Sequence, residues 1–202
     1  MVFCIGLTGS IASGKSLAAD FFKKQGIQVV NADQIAKNLT QKDQPALAHI
    51  IAHMGPEFLT PSGELHRRAL RQYIMNNPKA RRWLEDYLHP LIRHEIELQI
   101  RTIESPYIIL EIPLLTNKQP YPYLNRVLLI EAEEKKQRQR IMTRDQCTEE
   151  EALAMLRAQP NQELRRAIAD DLIQNDGSVE DLEKKCLERH VFYLKTASVQ
   201  DR

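Results

Sequence analysis

Gly9-Ser10-Ile11-Ala12-Ser13-Gly14-Lys15-Ser16 sets two glycines, a lysine and a hydroxyl at the spacing G-x-x-x-x-G-K-[ST]. That spacing suits a phosphate. Glycines let consecutive backbone N–H groups curl round the anion, and a helix starting there presents its positive N-terminal end to the same charge. On this reading Gly9, Ile11, Ala12, Ser13 and Gly14 supply the backbone cradle of a nucleoside triphosphate. Lys15 reaches the β- and γ-phosphates, and the Ser16 hydroxyl ligates Mg²⁺. Three of the seven glycines, Gly6, Gly9 and Gly14, fall in this short opening stretch of a glycine-poor chain.

A phosphate loop identifies a nucleotide, not a reaction. A switch GTPase needs D-x-x-G to sense the γ-phosphate, and no glycine here has an aspartate three residues before it. Asn117-Lys118-Gln119-Pro120 imitates the start of a guanine-reading N-K-x-D, but proline takes the acidic position, so the segment reads as a Pro-rich loop. A small-molecule kinase is the stronger class. His49 and His53 have the spacing of a helical metal pair without a third ligand, and His94-Glu95 opens like a zinc-protease helix without its second histidine. Both pairs read as ordinary surface residues.

The loop works only where a strand hands over to a helix. Val2 to Leu7 is an apolar run of strand length, and Lys15 to Gln25 carries Leu17, Ala18, Phe21 and Phe22 at helical spacing. Gly26 closes that helix, and Ile27 to Val30 is a second strand leading into Asn31, Ala32 and Asp33. Ile35 to Glu104 is a mostly helical block punctuated by Pro45, Pro56, Pro61, Pro78 and Pro90, the last read as a helix start. Tyr107 to Ile112 and Arg126 to Ile130 read as buried strands and Leu172 to Gln174 as a weaker one. Helices are expected over Glu133 to Arg144, Thr148 to Ala158 and Val179 to Thr196. This alternation predicts an α/β fold with a parallel sheet covered on both faces, its ligands at the carboxyl ends of the strands.

Composition narrows the partners. The 202 residues suit one domain with insertions, and 43% hydrophobic with 27% charged residues is an ordinary globular balance. Lys plus Arg is 28 against 27 Asp plus Glu, so the segregated positive excess of a nucleic-acid coat or polybasic membrane anchor is missing. The densest apolar stretch, Tyr107 to Leu115, is broken by Glu111 and too short for a membrane span. Met1 to Leu7 shows no signal peptide, so the expected location is the cytoplasm, with neither nucleic acid nor membrane as partner. Cys4, Cys147 and Cys186 are widely spaced and read as buried reduced thiols.

Taken in order, the motifs resemble those of the dephospho-coenzyme A kinases over nearly the whole chain. The matching segments are Ile5-Gly6-Leu7-Thr8-Gly9 with Ser13-Gly14-Lys15-Ser16, Ala32-Asp33, Arg67 to Leu70 and His89-Pro90-Leu91-Ile92. Pro113-Leu114-Leu115, Arg140, Arg144-Asp145, Ala169-Asp170 and Asn175-Asp176-Gly177 follow. The resemblance implies ATP-dependent phosphorylation of the ribose 3′-hydroxyl of dephospho-coenzyme A. It also implies a doubly wound core with a P-loop, an inserted helical substrate domain and a helical lid. The expected division is 1–35 with 105–202 as the nucleotide-binding core, its lid at about 133–168, and 36–104 as the insertion.

Site roles follow from the same resemblance. Asp33, just past the second strand, becomes the candidate base for the attacking hydroxyl, its alternative being an N-cap for Gln34 to Leu39. Arg67, His89 and Arg93 are candidates for binding the substrate pyrophosphate, with packing or solvent charge as the alternative. Lys136, Arg140 and Arg144 repeat every four residues and share a helix face. The matched pair Arg144-Asp145 makes Arg140 a candidate catalytic arginine and Arg144 a nucleotide contact. Asn175 meets the ATP base or serves the Asn-Asp-Gly turn. For Trp83 and Tyr87 core packing is preferred to adenine stacking.

Two departures stand out. Leu17 occupies a position where the family usually has Ser or Thr, and Thr116-Asn117 replaces an acidic residue after Pro-Leu-Leu, leaving Glu111 as the strand-end carboxylate that either supports Mg²⁺ through water or is a buried structural carboxylate. The rival readings are a kinase of another nucleoside or nucleotide, or an ATP-binding module without catalysis.

Overall fold

The computed structural model describes residues 2–159 and 161–200, Gln200 by its backbone alone. In chain order the elements are β1 (Phe3–Gly9), α1 (Lys15–Lys24), β2 (Gln28–Asn31), α2 (Ala32–Leu39), α3 (Pro45–Met54), a 3-10 turn (Pro56–Phe58), α4 (Arg67–Asn76) and α5 (Pro78–Arg101). These are followed by β3 (Tyr107–Glu111), β4 (Arg126–Glu131), α6 (Glu134–Asp145), α7 (Glu149–Arg157), α8 (Gln162–Ile168), β5 (Asp171–Gln174) and α9 (Val179–Gln200). The chain divides into two units, Met1–Asn31 with Ile100–Arg202, and Ala32–Gln99. The second unit opens a few residues earlier than the expected position 36 because α2 follows β2 without a loop, and this places Asp33 in it.

The first unit holds a five-stranded sheet in the order β2-β3-β1-β4-β5, every neighbouring pair parallel. Parallel strands joined by crossovers are buried on both faces, which is why β1, β3 and β4 are almost uninterrupted apolar runs. Phe3, Ile5, Leu7, Tyr107, Ile109, Leu128 and Ile130 form one face of a core closed by Phe22 of α1 and Leu182 and Tyr193 of α9. On the other face Leu115 and Leu124 lie over Gly6. Each fully buried Leu, Ile or Phe contributes about 1.5–3 kcal/mol, so this layer dominates the stability of the unit.

Strand direction then sets the site. Parallel strands all end on one edge, and here that edge collects Gly9, Asn31, Glu111, Glu131 and Gln174, with Asn31 in register with Glu111 and Glu131 with Gln174. β1 runs two residues beyond the expected Leu7, because Thr8 and Gly9 pair with Leu129 and Ile130. Helix α8 was absent from the sequence reading. It has no apolar stripe to see, its Leu164 being exposed, and it is held instead by polar contacts: Asn161 caps the Glu163 N–H at 2.8 Å, and Gln162 and Arg166 bond to Glu131.

Asp171, the first residue of β5, is buried and gathers three donors. Arg126 Nε lies at 2.8 Å, Arg189 Nη1 at 3.0 Å and Tyr193 Oη at 3.0 Å. Burial works to raise this carboxyl, but the Arg126 and Tyr193 hydrogen bonds and the two arginine charges prevail and hold it below its ordinary value. A carboxylate with a depressed pKa stabilises the fold fully above its unfolded value and loses that contribution as pH falls through the folded one. Asp171→Asn should therefore cost about 2 kcal/mol at pH 7, and the gap to wild type should close as the solution is acidified below the ordinary carboxylate range. Urea unfolding of both proteins at pH 7 and in steps below pH 4 checks this, and a pH-independent gap would count against it. Cys4 and Cys186 are buried, their thiols pushed up by burial to about 11 and about 12, whereas Cys147 is half-buried rather than buried.

The second unit is all helical among its described elements, with Ile50, Phe58, Leu70 and Leu84 at its centre. Pro45 and Pro78 each open a helix, as their fixed φ allows. Pro90 does not. It lies inside the long α5, where it removes one N–H donor from the helical ladder, so the expected helix start there is corrected. Trp83 and Tyr87 pack beside the central cluster, and the rings of His53 and His49 lie against them, His53 on Trp83 at 3.7 Å and His49 on Tyr87 at 4.4 Å. The two histidines are thus stacking partners, not a metal pair. Among the described residues no helix is long and apolar enough to cross a membrane.

Candidate active site

The loop between β1 and α1 folds as its composition requires. Ala12 and Gly14 take positive φ, 57° and 99°, and Ser13 N–H donates to Ser10 O at 3.2 Å. Gly14 precedes α1 in the left-handed region that favours glycine. Gly9 is needed for space, since a Cβ there would stand 2.5 Å from Ile130 O and 2.6 Å from Ser13 Oγ. Ser13 Oγ is buried with no hydrogen-bond partner among the described residues. An orphaned hydroxyl in a glycine loop at the start of a helix is what a phosphate oxygen would complete.

Three side chains outside the loop brace it. Asn175, just after β5, donates through Nδ2 to Ser13 O at 2.7 Å, and a Cβ on Gly14 would collide with the same amide. Arg140 of α6 donates through Nη1 to Ala12 O at 3.2 Å and through Nη2 to Asn175 O at 2.9 Å. Gln137, one helical turn before it and buried, donates to Ser10 Oγ. The strained Ala12 backbone costs about 1–2 kcal/mol, and these contacts over-determine it. Glu133 N–H also donates to Asp176 Oδ1 at 2.7 Å, which ties the start of α6 to the Asn-Asp-Gly turn and lowers the Asp176 carboxyl.

At the strand ends an ion pair and an amide assemble. Lys15 Nζ donates to Glu111 Oε1, and Asn31 Nδ2 donates to Glu111 Oε2. Glu111 is nearly inaccessible and Lys15 only slightly more open, so the pair is held away from water. Ser16 is exposed in the first turn of α1. The donor set suits Mg²⁺: a serine hydroxyl and a strand-end carboxylate are hard oxygen ligands. Among the described residues no cluster of three His, Cys, Asp or Glu could hold a metal.

The structure thus brings Lys15, Arg140 and Asn175 together within the first unit. Asn175 uses its side chain on the loop backbone, so it acts there as a brace. Arg144 is exposed and bonded to its neighbour Asp145 at 2.7 and 2.8 Å, a pairing that raises the guanidinium and lowers the carboxyl. Lys136 is exposed. The inward face of α6 is therefore Gln137, Arg140 and Ile141, one step round from the expected stripe of basic residues. Gln137 was legible as a neighbour of Arg140 at helical spacing, whereas nothing local pointed to Asn31. Lys118 bonds to Asp170 and Asn117 Oδ1 accepts from Gln119 N–H, which is turn chemistry.

The remaining candidates lie in the second unit. Asp33 is exposed in the first turn of α2, which begins at Ala32, so it is inside the helix and not its N-cap. There its charge favours the positive helix end. Arg67 donates through Nη2 to Lys37 O at 3.1 Å and Thr40 Oγ1 at 3.0 Å, joining α4 to the end of α2. His89 is exposed and Arg93 partly exposed, one turn apart on α5.

The model of the dephospho-CoA kinase family matches residues 3–181. A dephospho-CoA kinase of Legionella pneumophila (strain Lens) is 48% identical over 200 residues, spanning 99% of this chain and all of that protein. Among solved structures, the dephospho-CoA kinase from Campylobacter jejuni superposes with a TM-score of 0.72 at 28% identity, covering 97% of this chain and 99% of that one. A Thermus thermophilus protein superposes with a TM-score of 0.80 at 32% identity, covering 94% and 96%.

Proposed function

The chain belongs to the dephospho-CoA kinase family, and from that premise we propose how its own residues carry the transfer. It is a kinase that transfers phosphate from ATP to a hydroxyl group of dephospho-CoA. The finer reading is direct in-line transfer to the ribose 3′-hydroxyl, in the cytoplasm, without nucleic-acid or membrane partners. The observation that carries it is the braced loop Gly9 to Ser16 in a chain that matches this family over residues 3–181.

The loop amides and the α1 N-terminus bind the phosphate chain, and Lys15 exchanges Glu111 for the β- and γ-phosphate oxygens. Asp33 accepts the proton of the attacking hydroxyl as its oxygen bonds to the γ-phosphorus, and ADP leaves with the electron pair of the broken bond. Arg140 and Arg144 offset charge on the transferring group, while Arg67, His89 and Arg93 hold the substrate pyrophosphate. Mg²⁺, when bound, screens the phosphate charge. Ser16 would ligate it directly and Glu111 through water.

Given ATP, Mg²⁺ and dephospho-CoA, the protein should yield a single product phosphorylated at the ribose 3′ position, read by phosphorus NMR. Phosphorylation at 2′, or faster turnover of adenosine or AMP, would reject this reading in favour of another nucleoside or nucleotide kinase.

Leu17 is 49% exposed, so its side chain contributes little packing to the first turn of α1. Leu17→Thr would add a hydroxyl for the α-phosphate at little packing cost. A charge-assisted hydrogen bond is worth about 1.5–3 kcal/mol before desolvation, so ATP should bind several-fold tighter with the unfolding temperature nearly unchanged. Calorimetric titration with ATP beside thermal unfolding tests this. Equal affinity would mean that the backbone cradle already satisfies the α-phosphate.

A further inference from the structure

Arg165 of α8 is 3% exposed, and its Nη1 is buried without a hydrogen-bond partner among the described residues. A guanidinium stays charged in proteins, so an unpaired buried donor on it carries the full cost of lost hydration. The nearby acid cannot relieve it. Glu131 already accepts Gln162 Nε2 at 2.8 Å and Arg166 through Nε at 2.9 and 3.0 Å and Nη2 at 2.8 Å. Those contacts hold α8 through Gln162 and Arg166, and Arg165, the residue before Arg166, is buried. Burial pulls the Arg165 guanidinium below its ordinary value, with the Glu131 charge opposing.

Arg165 is nonetheless among the residues that line a cavity of about 270 Å³, together with Ser10, Glu134, Gln137, Arg157 and Gln162. Ser10 directly follows Gly9 in the phosphate loop, and Gln137 holds its hydroxyl. Arg157 stands exposed at the wall, so the cavity carries two guanidinium groups against the single carboxylate of Glu134. A planar fork with unused donors, beside a loop built for phosphate, matches a phosphate group better than any neutral ligand.

We propose that Arg165 is a further phosphate-binding residue of the nucleotide site, receiving an oxygen of the ATP phosphate chain in the cavity beside Ser10. This rests on the kinase reading above. It explains why α8 keeps a buried cation unpaired in the free protein: the partner arrives with the nucleotide.

The test compares wild type with Arg165→Met and Arg165→Gln. Removing an unpaired buried charge should leave the unfolding temperature of the free protein equal or higher in Arg165→Met. Calorimetry should show ATP binding about ten- to a hundredfold weaker in both variants, with the KM for ATP raised to match and the KM for dephospho-CoA unchanged. Binding of ATP within twofold of wild type in either folded variant would overturn the proposal, as would a lowered unfolding temperature with ATP binding intact. If Arg165→Met does not fold, Arg165→Gln decides by the same titration. The functional reading fails separately, if wild type binds ATP and leaves dephospho-CoA unphosphorylated.

Discussion

Lys15→Ala should lower turnover by about a hundredfold or more, equivalent to about 3 kcal/mol of transition-state stabilisation, because it removes the cation proposed above to meet the transferring phosphoryl group. The structure adds a second consequence. Lys15 is the ion partner of Glu111, which is nearly inaccessible to solvent, so the alanine variant leaves that carboxylate with the Asn31 amide and no neutralising charge. Breaking one side of a buried pair costs about 3–5 kcal/mol, which lowers the unfolding temperature by roughly ten degrees. The two effects separate in the double variant Lys15→Ala with Glu111→Gln. It should regain most of the lost stability and none of the lost turnover. Recovery of turnover in the double variant would mean that Lys15 acts through Glu111 and not on the phosphates.

Asp33→Asn should keep ATP affinity within about twofold of wild type while turnover falls by two to three orders of magnitude, about 3–4 kcal/mol, as for removal of a general base. The substitution is nearly isosteric and the side chain is exposed, so the fold should survive it. Loss of the charge from the first turn of α2 costs a few tenths of a kcal/mol to about 1 kcal/mol through the helix dipole. A merely structural Asp33 would show that small loss of stability and turnover within a few-fold. ATP titration by calorimetry, single-turnover kinetics and thermal unfolding together distinguish the two.

The local chemistry of this chain was legible without coordinates wherever neighbours in sequence are neighbours in space. The loop Gly9 to Ser16, its strand and its helix are contiguous, and apolar runs of strand length alternating with helical spacing led to the parallel α/β sheet. The cores of β1, β3 and β4 were found because a strand buried on both faces is apolar throughout. The pattern was silent where polar contacts replace apolar ones, as in α8. It misled at Pro90, which tertiary packing keeps inside α5.

What only the tertiary structure decided is which polar groups meet at the sheet edge. Lys15 meets Glu111 across 96 positions of sequence, Ser10 meets Gln137 across 127 and Ser13 meets Asn175 across 162. Sequence alone left Asn175 between base contact and turn, placed the basic stripe of α6 one step from its inward face, and overlooked Arg165. The reason is geometric. Crossovers between parallel strands carry the chain back so that every strand ends on the same edge, and the order in which strands lie there is not their order in the chain. A residue's partner is then set by which strand or helix packs beside it, and periodicity along the chain reports only whether a side chain faces inward, never what it finds there.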